Sequence, residues 1–213
     1  DVRGTSVRVF PFRYISEGQM LIYYSNITVI LRENNQPATN PLLRENPTPV
    51  REAVGMYQSM FLNYEPSRTA LATGEIGDML VLTPATYESA VEPYIQWKKE
   101  MGYNVTKQVV SSGANVVNTI QTAYNNNPNL MYVQLVGDWA DIKSNTISSD
   151  GVNCPIDPAM GCVSGNDNYP DIAIGRFSCT NATHVTTQVN KAINYEKNPN
   201  MDAGWRETFI GIG

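Results

Sequence analysis

Two carboxylates stand four residues apart in the stretch SGNDNYPDIAIGRFSC, residues 164–179. Asp167 and Asp171 lie in a segment rich in Gly, Asn and Pro, directly before an apolar strand pattern. Extended or turning backbone there can aim both carboxylates, and carbonyls between them, at one hard cation such as Ca²⁺. The EF-hand pattern does not fit, because no Glu stands at its last position. The alternative is a solvated loop in which Asp and Asn side chains bond their own backbone.

A second pair of acids follows the most apolar run of the chain, in LVGDWAD. Asp138 and Asp141 come directly after that predicted strand. In a parallel sheet, site residues lie beyond the carboxyl ends of the strands. The competing interpretation is a cap for the following turn, which the sequence alone favours.

The nucleophile candidates are three cysteines, and the sequence has a single histidine. Cys154 and Cys162 lie eight apart in CPIDPAMGC, a spacing that suits a small disulfide-closed loop if the compartment is oxidising. Cys179 follows an apolar strand pattern and is interpreted as a buried thiol. His184 lies in the first turns of a polar helix pattern, so we interpret it as a surface or half-buried residue without a catalytic role. The chain has no G-x-S-x-G, G-x-G-x-x-G or P-loop motif.

A single arginine, Arg68, stands in the polar stretch NYEPSRTALATGEIGD that joins two unlike halves of the chain. A plain linker needs only small and polar residues. A linker that is cleaved needs a residue that a protease recognises next to the scissile bond, and Arg68 is a candidate for that residue.

Before this junction the pattern is β-rich. Residues 1–35 alternate apolar and polar side chains in two runs separated by SEG, which predicts a hairpin at the end of a β-sandwich. Residues 34–49 are polar and hold four prolines, so we expect a loop there. The next apolar residues recur at helical spacing and predict a short amphipathic helix (Val54, Tyr57, Met60, Phe61 and Tyr64).

After the junction, strand and helix patterns alternate. Five strands are predicted, beginning with MLVLT, YNVTKQVV, LMYVQLV, DIAIGRFS and ETFIGIG, with helices between them. Continuous apolar runs of this kind indicate strands buried on both faces. The sequence therefore predicts an α/β fold with a parallel sheet and flanking helices. We divide the chain into residues 1–68 and residues 69–213.

Composition and charge argue against a transmembrane protein and against a nucleic-acid-binding protein. The 213 residues are 42% hydrophobic and 16% charged, with a net charge of −5, as in a soluble globular protein. No apolar run reaches the roughly 18 residues of a transmembrane helix, and no basic cluster indicates nucleic-acid binding. The first residues lack the apolar core of a signal peptide, and we expect the natural protein to begin further upstream.

Four blocks of the sequence resemble the gingipain cysteine endopeptidases, peptidase family C25. They are MLVLTPATYESAVEPYIQWKKEMGYNVT, YVQLVGDWADI, GNDNYPDIAIGRFSC and INYEKN, in the family's order and spacing. DVRG and MFLNYEPSR resemble the end of the family's propeptide. The resemblance implies a caspase-like α/β catalytic domain, incomplete here, preceded by the β-hairpin remnant of an all-β propeptide domain.

The resemblance also assigns roles to single residues. Arg68 corresponds to the last propeptide residue, cut on maturation, and Thr69 to the first mature residue. Asp167 and Asp171 resemble the side-chain ligands of a family Ca²⁺ site, with the carbonyls of Ser164 and Tyr169 completing it. The family has Glu where Asp171 stands, so we expect the shorter acid to bind with one oxygen or through water.

Asp138 resembles a ligand of a second Ca²⁺ site whose other ligands follow Gly213. The family's His–Cys dyad and the Asp of its Arg-binding pocket likewise follow the strand that begins at Glu207. No catalytic residue is therefore assigned within the chain, which we expect to be proteolytically inert on its own.

The function predicted from the resemblance is a fragment of a secreted or cell-surface cysteine endopeptidase zymogen, whose intact enzyme cleaves proteins, with Arg favoured before the scissile bond. The alternative is a calcium-stabilised surface or adhesion module without a dyad. We also expect the unfinished sheet edge of the fragment to favour homodimers.

Overall fold

The computed structural model describes residues 4–32, 34, 36, 37, 51–65, 76–199, 204 and 208. Arg68 and Thr69 lie outside these residues, and so does the predicted strand at 207–213, apart from Thr208. The division of the chain at residue 68 therefore stays a prediction.

The N-terminal part contains the predicted hairpin and the predicted helix. Strands β1 (Phe12–Ile15) and β2 (Met20–Tyr23) pair antiparallel around a 3₁₀ turn at Ser16–Gly18. The strands are shorter than the two apolar runs that predicted them, and most of their side chains are exposed. Helix α1 (Arg51–Met60) follows.

The larger part is a four-stranded parallel sheet of β3 (Asp78–Pro84), β4 (Asn104–Val110), β6 (Leu130–Val136) and β10 (Ala173–Phe177). The order of the strands across the sheet is β10–β6–β3–β4. The helices are α2 (Glu88–Glu100), α3 (Val117–Asn126) and α4 (Ala182–Lys197). Two short pairs complete the described elements: parallel β5 (Ala114–Asn115) with β7 (Ile142–Lys143), and antiparallel β8 (Asn145–Ser149) with β9 (Val152–Ile156).

The central strands β3 and β6 are packed on both faces, which explains their continuous apolar runs. On one face, Val81 and Val136 pack with α2 and α4 in a core cluster. On the other, Leu82 and Leu135 pack with α3 and the segments after β6. Burying each such side chain contributes roughly 1.5–3 kcal/mol, so helices are needed on both sides of the sheet.

Helices α2 and α4 are joined by a partly buried polar cluster around Glu196. Lys98 Nζ lies 2.7 Å from Glu196 Oε1, and Trp97 Nε1 donates to Oε2 at 2.6 Å. The ammonium also lies 5.4 Å and 5.2 Å from the ring centroids of Tyr94 and Tyr103. Lys98 is 7% exposed, so these partners replace the water that its ammonium group loses on burial.

Replacement of Lys98 by Ala should therefore lower the free energy of unfolding by about 2–3 kcal/mol, because Glu196 would keep its charge without its ammonium partner. Urea unfolding followed by circular dichroism measures the loss. Lys99→Ala, the exposed neighbour, is the matched control and should change stability by less than about 0.5 kcal/mol. Equal losses in both variants would contradict the role of the buried pair.

Candidate functional site at the carboxyl edge of the sheet

The turn after β6 is built around Gly137 and Asp141. Gly137 has φ +127°, and a Cβ there would lie 2.7 Å from Asp141 Cβ. Asp141 Oδ2 accepts from the Asp138 N–H and the Tyr87 hydroxyl, each at 3.2 Å, and Oδ1 accepts from Ser112 Oγ at 3.2 Å. Burial first, then the nearby Asp141 carboxylate, raises the pKa of Tyr87. Asp141 is thus a turn-stabilising residue, as the competing interpretation of this motif predicted.

Asp138 lies at the carboxyl edge of the sheet, where the sequence predicted a site residue. Its backbone N–H bonds Cys179 O at 3.0 Å, so β6 and β10 stay linked beyond their last paired residues. Its Oδ1 accepts from the Trp139 N–H at 2.8 Å and from Ser178 Oγ at 3.4 Å. The carboxylate therefore also caps its own turn.

An arginine holds this turn to the segment after β9. Arg176 of β10 makes a bidentate ion pair with Asp157, with Nε–Oδ2 at 2.7 Å and Nη2–Oδ1 at 2.9 Å. Its Nη1 donates to the carbonyls of Gly137 at 3.0 Å and Asp138 at 3.3 Å. The Arg176 guanidinium lowers the pKa of Asp157. One side chain therefore fixes the end of β6 and the end of the β8–β9 hairpin.

A cavity of about 530 Å³ opens beside this ion pair. Its walls include Asp138, Trp139, Ile156 and Arg176. Trp139 is 39% exposed, and Lys143 Nζ lies 5.4 Å from its ring centroid. The cavity thus lies where ligand sites of parallel sheets occur.

Neither Arg176 nor Asp157 was predicted from the sequence as a member of an ion pair. The signal for Arg176 was a lone arginine inside an apolar strand pattern, since a buried guanidinium needs a carboxylate partner. The signal for the β8–β9 hairpin was Asp150-Gly151, a dipeptide typical of two-residue hairpin turns. Asp150 and Gly151 have φ values of +50° and +78°.

The loop that holds Asp167 and Asp171 is organised by both carboxylates. Asp171 Oδ2 accepts from the Val163 and Ser164 N–H groups at 2.9 and 2.8 Å. Asp167 Oδ1 accepts from the Tyr169 N–H at 2.9 Å. The Asp167 bond is of the local kind that the competing interpretation predicted, whereas the Asp171 bonds reach residues seven and eight positions earlier. Each carboxylate keeps one further oxygen that these bonds do not use.

The donor set of this loop fits a hard cation. Besides the remaining carboxylate oxygens it offers the carbonyls of Ser164 and Tyr169, and Ca²⁺ prefers such oxygen ligands. Among the described residues no group of three or more His, Cys, Asp or Glu side chains is placed to hold a metal, so carbonyls would have to supply part of the coordination. Calcium binding at Ser164, Asp167, Tyr169 and Asp171 stays a prediction, as does the role of Asp138 in a second site.

All three cysteines are free thiols in the structure. Cys154 lies on the exposed strand β9, and a 3₁₀ turn at Pro158–Gly161 separates it from Cys162. The segment we interpreted as a loop is thus partly strand and 3₁₀ turn. Pairing of Cys154 with Cys162 in an oxidising compartment stays a prediction. Burial first, then the negative charges of Asp171 and Asp167, raises the pKa of Cys162.

Cys179 and His184 do not form a catalytic pair. Cys179 is buried, and burial raises its pKa to about 11. The exposed His184 ring lies 3.3 Å from Thr180 Oγ1 and 3.3 Å from Asn181 Nδ2, and no cysteine of the described residues bonds to it. Both interpretations from the sequence, a buried thiol and a non-catalytic surface histidine, agree with this geometry.

Comparison with known proteins identifies the family. The model of peptidase family C25 matches residues 72–213. The chain belongs to peptidase family C25. It is 32% identical to gingipain R2 of Porphyromonas gingivalis strain W83, over 96% of this chain and 28% of that protein. It is 33% identical to gingipain R1 of P. gingivalis, over 96% of this chain and 21% of that protein.

Solved structures of this family have the same fold. A complex of P. gingivalis RgpB pro- and mature domains matches with a TM-score of 0.52 and 32% identity, over 61% of this chain and 31% of that chain. A crystal structure of the Arg specific cysteine proteinase gingipain R matches with a TM-score of 0.53 and 29% identity, over 61% and 31% of the two chains. The caspase-like α/β fold predicted from the sequence is confirmed. The chain spans between 12% and 28% of the length of the curated relatives it matches.

Substitution of Gly137 by Ala should lower the free energy of unfolding by about 3 kcal/mol, because the added Cβ meets Asp141 and the backbone lies outside the regions open to alanine. Gly151→Ala is the control: its φ is also positive, at +78°, but nothing lies within 4 Å of the added Cβ. We expect a loss of about 1 kcal/mol there. Chemical denaturation of both variants measures the difference, and similar losses would show that crowding by Asp141 has no effect.

Asp157→Asn should remove the charge that Arg176 binds. The free energy of unfolding at pH 7 should therefore fall by about 2 kcal/mol. Because the folded-state pKa of Asp157 is lowered, its contribution is present above the unfolded pKa of about 3.9 and is lost as pH falls through the folded value. The difference in free energy of unfolding between wild type and variant should therefore decrease below about pH 4.

Urea denaturation series at pH 7 and pH 3 measure this gap. Glu92→Gln, which breaks an exposed pair with Lys107, is the control and should cost less than about 0.5 kcal/mol. A gap that stays constant with pH would contradict the assignment.

Proposed function

We propose that this chain is the front part of the zymogen of a secreted or cell-surface cysteine endopeptidase that cleaves proteins after arginine. The family match over residues 72–213 carries the proposal. In the intact enzyme a thiolate would attack the scissile carbonyl and form an acyl-enzyme. A buried carboxylate would select arginine by pairing with its guanidinium. The part described here would supply the scaffold sheet.

Arg68 and Thr69 form the proposed activation bond. The C25 model begins at residue 72, three positions after Thr69, whereas the gingipain relatives align over 96% of the chain and so also cover residues upstream. The RgpB complex is named for separate pro- and mature domains. This arrangement supports a propeptide that ends near Arg68.

The activity is tested with the product of the whole gene. The secreted protein should hydrolyse chromogenic peptides with Arg before the scissile bond at least tenfold faster than matched Lys and Leu peptides. A thiol-alkylating reagent should abolish this hydrolysis. If the matured protein hydrolyses none of the three peptides, this result would contradict the peptidase proposal and favour a binding module.

Arg68→Ala should block maturation at the junction, because an Arg-specific protease does not cleave after alanine. N-terminal sequencing of the secreted protein should find Thr69 as the first residue in wild type and not in the variant. Arg32→Ala, an exposed arginine of the N-terminal part, should mature normally. Wild-type processing of the Arg68 variant would exclude the cleavage role.

Calcium is the proposed structural ion of the 164–171 loop. The carboxylates of Asp167 and Asp171 and the carbonyls of Ser164 and Tyr169 would hold it and tie the loop to the start of β10. Saturation at 100 times the dissociation constant adds about 2.7 kcal/mol to stability, so Ca²⁺ should raise the melting temperature of the full-length protein by several degrees.

Asp167→Asn should remove most of this calcium-dependent shift, because the loop loses one of its two charges. Asp150→Asn, on the exposed β8–β9 turn, is the control and should keep the full shift. Calorimetric scans with calcium and with a chelator measure both variants. An unchanged shift in Asp167→Asn would place any bound calcium elsewhere.

A further inference from the structure

Helix α3 contacts the start of the proposed calcium loop through the side chain of Gln121. Its Nε2 donates to the Val163 carbonyl at 2.9 Å. The same nitrogen donates to Asn125 Oδ1, one helical turn further along, at 3.0 Å, and this second bond restricts the orientation of the amide group. Ile120 and Tyr124 of the same helix are buried in the core cluster on that face of the sheet. Gln121 therefore projects towards the loop from a rigid support.

The peptide bond between Val163 and Ser164 has a partner at each of its two polar groups. Its carbonyl accepts from Gln121, and its N–H donates to Asp171 Oδ2 at 2.8 Å. A trans peptide unit is planar, and its C=O and N–H groups point in opposite directions. Partners on both sides therefore fix the orientation of the peptide plane, and loss of either partner would leave the plane free to tilt.

This plane directs the first carbonyl ligand of the proposed site. The Ser164 carbonyl follows directly after the 163–164 peptide unit, so a tilt of that unit moves the Ser164 oxygen. The next residue, Gly165, has φ +80°, and a Cβ there would lie 3.4 Å from Asp167 Oδ2. Asp167 Oδ2, which is not used in the bond to the Tyr169 N–H, thus lies beside the residue that follows the Ser164 carbonyl.

The end of the loop is attached to the core by contacts that do not involve Gln121. The Asp171 N–H donates to the Gly161 carbonyl at 2.8 Å. The backbones are close together at this point, because a Cβ on Gly161 would lie 2.5 Å from the Ile172 carbonyl oxygen. Ile172 is buried in the same core cluster as α3. Loss of the Gln121 donor should therefore disturb the Ser164 carbonyl and leave the end of the loop in place.

We propose that Gln121 is a positioning residue of the calcium site. It does not contact the ion; it sets the direction of the Ser164 carbonyl through the 163–164 peptide unit. The proposal rests on the calcium site of the proposed function. Hydrogen-bond partners that orient metal ligands typically contribute ten- to a hundredfold to metal affinity. Because Gln121 acts through an intervening peptide unit, we expect a contribution of about tenfold.

The test compares two glutamines that make the same kind of bond near opposite ends of β10. Gln121→Met keeps the approximate length and the helix propensity of the side chain and removes its donor. The control, Gln188→Met, removes the donor from α4 to the Ser178 carbonyl, which follows β10. Each variant loses one hydrogen bond between a side chain and a carbonyl, so both should show a similar, small decrease in melting temperature in the presence of a chelator.

Calorimetric titration of the full-length protein with Ca²⁺ measures the affinity. The loop site is identified as the binding event that is lost in Asp167→Asn. Its dissociation constant should rise about tenfold in Gln121→Met and should keep the wild-type value in Gln188→Met. An unchanged dissociation constant in Gln121→Met, or equal increases in both variants, would overturn the proposal. If Asp167→Asn removes no binding event, the calcium site itself is wrong, and the role of Gln121 in it is overturned as well.

Hydrogen exchange in the presence of a chelator tests the peptide plane without calcium. The backbone segment 162–168 should exchange roughly fivefold faster in Gln121→Met than in wild type, because the loop start has lost its bond to α3. The same segment of Gln188→Met should exchange at the wild-type rate. Mass spectrometry of the proteolytic peptides measures both rates. Equal exchange in wild type and Gln121→Met would show that Asp171 alone holds the plane, and this result would overturn the proposal.

Discussion

The contact between the Arg176 guanidinium and its four oxygen partners holds the carboxyl edge of the sheet in one arrangement. Two of these partners are the Asp157 carboxylate oxygens, and two are the carbonyls of Gly137 and Asp138. A guanidinium presents its donors in a fixed plane, so it sets the angle between the end of β6 and the segment after β9. The positions of Asp138, the cavity and the hairpin all depend on this contact.

The sheet beneath this edge explains why the edge can carry polar groups. Its central strands β3 and β6 are packed on both faces and contain few polar side chains that could do chemistry. Functional groups are therefore confined to the segments beyond the strand ends. Gly137 lets the chain turn at once after β6, and Asp141 stabilises that turn through the Asp138 N–H. The loop from Ser164 to Asp171 lies at the opposite, amino edge of the sheet, because it precedes β10, which runs parallel to β6.

Two kinds of acid occur at opposite edges of the sheet, and they differ in how many of their carboxylate oxygens are engaged. Asp141 has both carboxylate oxygens engaged by turn, hydroxyl and backbone donors. Asp167 and Asp171 each use one oxygen for backbone N–H groups of their own loop. A side chain that organises a loop and keeps one oxygen can still bind an ion, so local hydrogen bonds and calcium binding are compatible there.

The sequence by itself determined the α/β class, the four described parallel strands, the helices between them and the family, because apolar periodicity and motif order are local properties of the chain. It also separated the buried Cys179 from the surface His184. Tertiary structure alone decided that Asp157 is the partner of Arg176 and that this arginine also binds the carbonyls of Gly137 and Asp138. These contacts join residues 19 to 39 positions apart in sequence, and no local pattern encodes them.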